Sequence, residues 1–221
     1  MQLTDLTTNA VAALSKDTPV VFPVAALEQH GHHMPLFTDS LLLGEIIRRA
    51  APSLEGRALF TPLMWLGNSE HHLDFPGTMT AAPRTYLDLL RDMAENFLFH
   101  GFKRIVFVNG HGGNQPVAAL IAEWMAAHPR TRVRLHNWWN APRTLAYVKS
   151  IDPQSAHASW MENLPWTRLP GVTQPPGRKD PVDYARYAVL PPDAARALAG
   201  DGNFGGAYER PDAEVLAMWR I

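Results

Sequence analysis

Four short apolar runs, TPVVFPVAAL (18–27), ALFTPLMWLG (58–67), KRIVFVNG (103–110) and RVRLHNWWN (132–140), are separated by stretches with apolar residues at helical spacing. This alternation constrains the fold more than any other feature of the chain. Short apolar runs bounded by polar turns predict buried strands, and the stretches between them predict amphipathic helices. TDSLLLGEIIRRAA (38–51) is one such helix, with Thr38 as its predicted N-cap. TAAPRTYLDLLRDMAENFLFHG (80–101) is a second, opened by Pro83 and stopped by Gly101, and NQPVAALIAEWMAAHP (114–129) is a third. Strand and helix in alternation predict βαβ units, a parallel sheet and right-handed crossovers. Beyond residue 140 the pattern weakens. LPGVTQPPGRKDPVDY (169–184) predicts a long loop, and the last residues a short helix.

Every unusual polar segment follows the carboxyl end of a predicted strand, the edge where open α/β sheets bind ligands. EQHGHHMPLFTD (28–39) carries Glu28, His30, His32, His33 and Asp39. Glu28 and His30 point the same way on an extended backbone, and Asp39, past a bend at Pro35, could return a carboxylate to them. Such a donor set, without Cys, suits Zn²⁺, Mn²⁺ or Fe²⁺; the alternative is a polar loop with surface histidines. NSEHHLDFPGT (68–78) places Glu70 and His71 at a strand end, as a binding loop or as a structural turn. NGHGGN (109–114) projects His111 from a glycine-rich turn, with Gly112 beside it; the alternative is an ordinary βα turn. In HASWMEN (157–163) a helix starting near Ala158 could present His157 and Glu162 to one site, or form a surface helix. Trp138, Trp139 and Trp160 could wall a flat substrate or fill the core.

Composition narrows the class. Lys+Arg 20 against Asp+Glu 21, with no basic run, argues against nucleic acid as a partner. Absent cysteine excludes disulfides and thiolate metal sites and fits a reducing, cytoplasmic compartment. The start reads as no signal peptide, and no apolar run nears the roughly 18 residues that cross a bilayer. The chain is expected to form one domain over residues 1–221.

Taken in order, EQHGHHMPLFTD, SEHHLDFPGT, NGHGGN and HASWME resemble the creatininase (creatinine amidohydrolase) family. The resemblance implies a three-layer α/β/α sandwich with a mostly parallel sheet, and a homo-oligomer, usually a hexamer. It implies two divalent metal ions per chain, held by Glu28, His30, Asp39, His111 and Glu162, with Asp39 bridging and His157 assisting proton transfer. The implied activity is hydrolysis of a C–N bond in a small cyclic amide or formamide by a metal-activated water. A peptide-trimming relative would share these motifs. So would a non-catalytic, metal-stabilised assembly protein. His32, Glu70, His71, Gly112, Trp138 and Trp160 are the expected substrate-binding residues. The chain departs from the family at His32, where Pro is usual, and at Ser159 and Asn163. It also carries Gly113 where enzymes acting on creatinine have glutamate, so creatinine is not the expected substrate.

Overall fold

The computed structural model describes residues 1–221. Its central sheet is built from β1 (Val20–Val24), β2 (Leu59–Phe60), β3 (Arg104–Asn109) and β4 (Arg132–Asn137), all parallel, in the order β2-β1-β3-β4. The helices are α1 (Thr8–Ala13), α2 (Thr38–Ala50), α3 (Pro83–Phe99), α4 (Val117–Ala127), α5 (Pro142–Ile151), α6 (Tyr184–Tyr187), α7 (Pro192–Ala199) and α8 (Asp212–Met218). A separate antiparallel pair joins β5 (Arg178–Lys179) to β6 (Gly206–Ala207).

All five residues of β1 are buried, as a strand covered on both faces requires. On one face, Val20, Phe22 and Val24 pack with Phe107 of β3, with Tyr86 and Leu90 of α3, and with Leu120 and Trp124 of α4. On the other, Val21 packs with Phe60 and with Ile47 of α2. Two helical layers therefore enclose the sheet, as the motifs implied.

The strand order determines where a ligand can sit. From β1 the chain goes to β2 on one side, then returns past β1 to place β3 on the other. The crevice of a doubly wound sheet opens at that reversal, above the carboxyl ends of β1 and β3. Glu28 and His111 follow those two ends.

Several local expectations are corrected. The second strand is two residues, not ten: after Thr61 N donates to Val21 O, the next bond would need an N–H from Pro23 of β1, which has none. Pairing resumes only as a bridge between Val24 and Met64. Thr38 is the first residue of α2 rather than its N-cap, and its hydroxyl donates back to Pro35 O at 2.6 Å. No helix starts at Ala158. That residue takes φ 58°, a left-handed conformation that costs a non-glycine residue about 1 kcal/mol or more. Helices α5, α6 and α7 occupy sequence that carried no clear pattern.

Asp152, at the end of α5, ties this C-terminal part together. Its carboxylate accepts from Ala207 N at 2.9 Å, Gln154 N at 3.1 Å and Arg178 at 3.0 Å. Burial opposes ionisation, but these donors hold the carboxyl below its usual range. A depressed folded-state value stabilises the fold above the unfolded value, near 3.9, and that stability is lost as pH falls through the folded value. Asp152→Asn is expected to cost about 1–3 kcal/mol at neutral pH. In denaturant titrations the difference from the parent should shrink below about pH 4.

Candidate metal centre

Asp39 is the second residue of α2, where the helix N-terminus favours an anion, and its two oxygens face different imidazoles. Oδ1 lies 3.1 Å from His30 Nε2, and Oδ2 lies 3.1 Å from His111 Nδ1. Glu28 Oε1 is also 3.1 Å from His111 Nδ1. Glu162 Oε2 lies 3.9 Å from His30 Nε2 and accepts from Ala158 N at 2.6 Å, a bond that the left-handed turn at Ala158 aims at it. Candidate ligand atoms of Glu28, Asp39 and His111 fall within 4.8 Å of one another, as do those of His30, His157 and Glu162, and of Glu28, His72 and His157.

The outer contacts of both histidines suit metal ligation. His111 turns Nε2 to Asn68 O at 2.8 Å, and His30 turns Nδ1 to Glu28 O at 3.2 Å. Backbone carbonyls only accept, so each holds the ring N–H and leaves the other nitrogen's lone pair toward the carboxylates, the usual arrangement of a ligating histidine. Both oxygens of Glu28 and Oδ2 of Asp39 are buried without an aligned hydrogen-bond donor. Buried anionic oxygens converging with free imidazole nitrogens form a site that fits divalent cations.

The electrostatics agree. Burial would raise the Glu28 carboxyl, yet His111 and His72 hold it well below the usual range. Burial would lower His30 and His111, yet Asp39 carries His30 to about 9, and Glu28 with Asp39 carries His111 well above its ordinary value. The carboxylates thus demand positive charge from their surroundings. Burial pushes Glu162 up to about 7, with Asp39 adding to it and His30 opposing. Burial, then the nearby His30, pushes His157 down to about 3, so its imidazole is neutral at physiological pH.

A hydrogen-bonded staple holds the third motif. Asn109 donates to His111 O at 2.8 Å and accepts from His111 N at 3.0 Å, while Asn114 donates to Ala25 O at 3.1 Å and accepts from Asn68 N at 3.0 Å. The backbone here is so close to the neighbouring loop that a Cβ on Gly113 would lie 2.0 Å from Asn68 O and 2.4 Å from His111 Nε2. Gly113→Ala is therefore expected to destabilise by about 1–3 kcal/mol or more, as overpacking does, whereas Gly112→Ala should be tolerated. Gly112 has open space around it, so the pair of variants in thermal unfolding separates collision from flexibility.

A cavity of about 400 Å³ opens over the cluster. Glu28, Asp39, His111, His157 and Glu162 line it, and so do His71 and Gly112. Four expected substrate residues lie elsewhere. His32 is exposed, because Gly31, at φ 67°, turns the chain after His30. Glu70 opens the turn Glu70–His72 and points to solvent, whereas His71 and His72 point inward. Trp138 is buried against Leu42, Val148 and Trp219, and its neighbour Trp139 faces the cavity instead. Trp160 is fully buried in the same core. Sequence reading missed His72, Gln29, Lys149, Tyr184, Tyr187 and Phe204. The doublet His71-His72 and the place of Gln29 between two candidate ligands were available signals; the other four carried none.

The chain matches the family model for creatininase (creatinine amidohydrolase) over residues 4–198. It is 34% identical to creatinine amidohydrolase of Pseudomonas putida over 203 residues, covering 83% of this chain and 77% of that one. It is 36% identical over 108 residues to the mycofactocin precursor peptide peptidase of Mycolicibacterium smegmatis, covering 47% of this chain and 43%, less than half, of that protein. Among solved structures, a manganese form of creatininase superposes with a TM-score of 0.75 at 25% identity, over 98% of this chain and 93% of that one. A family match over most of the chain, on a shared three-layer fold, makes this protein a member of the creatininase family of hydrolases.

Proposed function

We propose that the chain hydrolyses a C–N bond of a small cyclic amide or formamide, with two divalent ions as cofactor. Glu28, His111 and Oδ2 of Asp39 would hold one ion; His30, Glu162 and Oδ1 of Asp39 would hold the other. Such ions supply Lewis acidity toward an amide carbonyl and acidify water. His157 faces the same space, with Nδ1 3.8 Å from Glu28 Oε1 and 4.0 Å from Glu162 Oε2. Being neutral, it can take a proton from the attacking water and hand it to the leaving nitrogen. Trp139, Met161 and Phe204 line the cavity and reduce the water around the scissile bond. The collision at Gly113 leaves no room for a glutamate side chain, which argues against creatinine as the substrate.

The observation that carries the reading is Asp39, whose oxygens are each presented to a different imidazole at 3.1 Å. Metal content per chain, measured together with turnover of a panel of cyclic amides, formamides and short peptides, tests it. Two ions and turnover of a non-peptide amide are expected. Zero or one ion would overturn the dinuclear assignment, and two ions without turnover would favour an assembly role. Turnover of peptides alone would favour the second reading, peptide trimming, which the 36% identity to a peptidase supports. One domain over residues 1–221, a homo-oligomer of hexameric type and a cytoplasmic location complete the proposal. No helix is long and apolar enough to cross a membrane.

A further inference from the structure

Gln29 separates two candidate ligands in the sequence, and its side chain lies between two imidazoles. Its Oε1 accepts from Gly31 N at 2.8 Å, which fixes the orientation of the amide. The NH₂ group then faces Gly202 O at 3.1 Å, His72 Nδ1 at 3.0 Å and His157 Nε2 at 2.9 Å. Two protons meet three neighbours. The Gly202 carbonyl can only accept, so one amide proton remains for two rings.

The other contacts of those rings limit the outcome. His157 Nε2 lies 3.0 Å from Gln29 O, which only accepts. His72 Nδ1 lies 2.9 Å from the Tyr187 hydroxyl, whose own proton goes to His71 O at 2.8 Å, leaving the phenol oxygen as an acceptor. Two arrangements follow. In the first, Gln29 donates to His157 Nε2, and His72 Nδ1–H donates to Tyr187. His157 then shows the cavity an N–H at Nδ1, and His72 shows it a bare Nε2. In the second, Gln29 donates to His72 Nδ1, and His157 Nε2–H donates to Gln29 O. His72 then shows an N–H at Nε2, and His157 a bare Nδ1. Both arrangements make the same number of hydrogen bonds.

We propose that Gln29 is a positioning residue that couples His157 to His72, its one spare amide proton obliging both rings to adopt the same tautomer. The cavity then always meets one ring N–H and one bare ring nitrogen. The second arrangement is the competent one: His157 Nδ1 takes the proton of water and returns that same proton to the leaving nitrogen, while Nε2–H stays on Gln29 O. His72 meanwhile directs its N–H toward Glu28 Oε1, 3.6 Å away. The coupling rests on His157 as the proton-transfer group of the proposed function.

Neutron diffraction from crystals of the zinc-loaded protein reads the ring protons directly. In the parent, His72 and His157 are expected to carry their protons on the same nitrogen, both Nδ1 or both Nε2. Gln29→Leu should split them, with His72 protonated at Nδ1 toward Tyr187 and His157 at Nε2 toward the backbone carbonyl. Tyr187→Phe removes the acceptor for His72 and should place both protons on Nε2, which keeps the test open if the buried leucine variant does not fold. Different tautomers in the parent, matched ones in Gln29→Leu, or Nδ1–H on His72 in Tyr187→Phe would each overturn the coupling. Diffraction needs no substrate, so it is decided separately from the turnover that tests the function.

Discussion

Replacing Asp39 by Asn is expected to leave a folded chain that binds at most one divalent ion and loses more than about 100-fold in kcat/KM, the upper range for a residue that only orients a ligand. The reason is the split arrangement of its carboxylate. Oδ1 serves the His30 side and Oδ2 the His111 side, each at 3.1 Å, so one side chain is common to both candidate sites. An amide keeps the volume of Asp39 but replaces one anionic oxygen with an NH₂ that has no lone pair for a cation. Glu28→Gln, by contrast, should weaken only the His111 side, because His30 and Glu162 do not depend on it. Metal content by atomic spectroscopy, with the far-ultraviolet dichroism as a folding check, reads both variants. Full occupancy by two ions in Asp39→Asn would sink the bridging assignment.

His157→Ala should separate binding from chemistry. Its ring is not needed to complete either ligand set that contains Asp39, so metal content should stay near the parent value. Turnover should fall about 10²–10⁴-fold, the usual contribution of a positioned acid–base group. The loss belongs in kcat more than in KM, because the proton moves only as the C–N bond breaks. Glu162 borders the same space, and its carboxyl, raised to about 7 by burial, could carry part of the proton traffic. If His157→Ala kept full activity, proton transfer would have to be reassigned to that carboxylate. If it lost its metal instead, His157 would be a ligand, as its proximity to His30 and Glu162 also allows.

Glu28, His30, Asp39 and His111 were legible because each lies in a polar segment that follows a strand. Glu28, His30 and Asp39 fall in one twelve-residue segment, and His111 sits in a turn whose asparagines and glycines advertise a close backbone approach. What could not be read locally was the direction of each side chain within such a segment. His32 and Glu70 share motifs with inward-facing neighbours but point to solvent, because single turns at Gly31 and Ser69 reverse the facing of adjacent residues. Adjacent tryptophans were ambiguous for the same reason, and Trp139 rather than Trp138 reached the cavity. Glu162 was expected from a helix; it arrives through a strained turn at Ala158, a conformation that no alanine signals in a sequence.

By itself, then, the sequence determined the alternation of strands and helices, the parallel sheet, the absence of thiolate chemistry and the short list of side chains able to hold a metal. These follow from periodicity and from donor chemistry, which are properties of residues and their near neighbours. Only the tertiary structure decided that β1 and β3 lie side by side at the reversal of strand order, which brings Glu28 and His111 within 3.1 Å. It alone added the far wall of the cavity, since Tyr184 and Phe204, with Tyr187 behind His72, come from weakly patterned sequence more than 70 residues beyond His111. Contacts at such separations are selected by packing against the whole fold, and packing leaves no periodic trace in the chain.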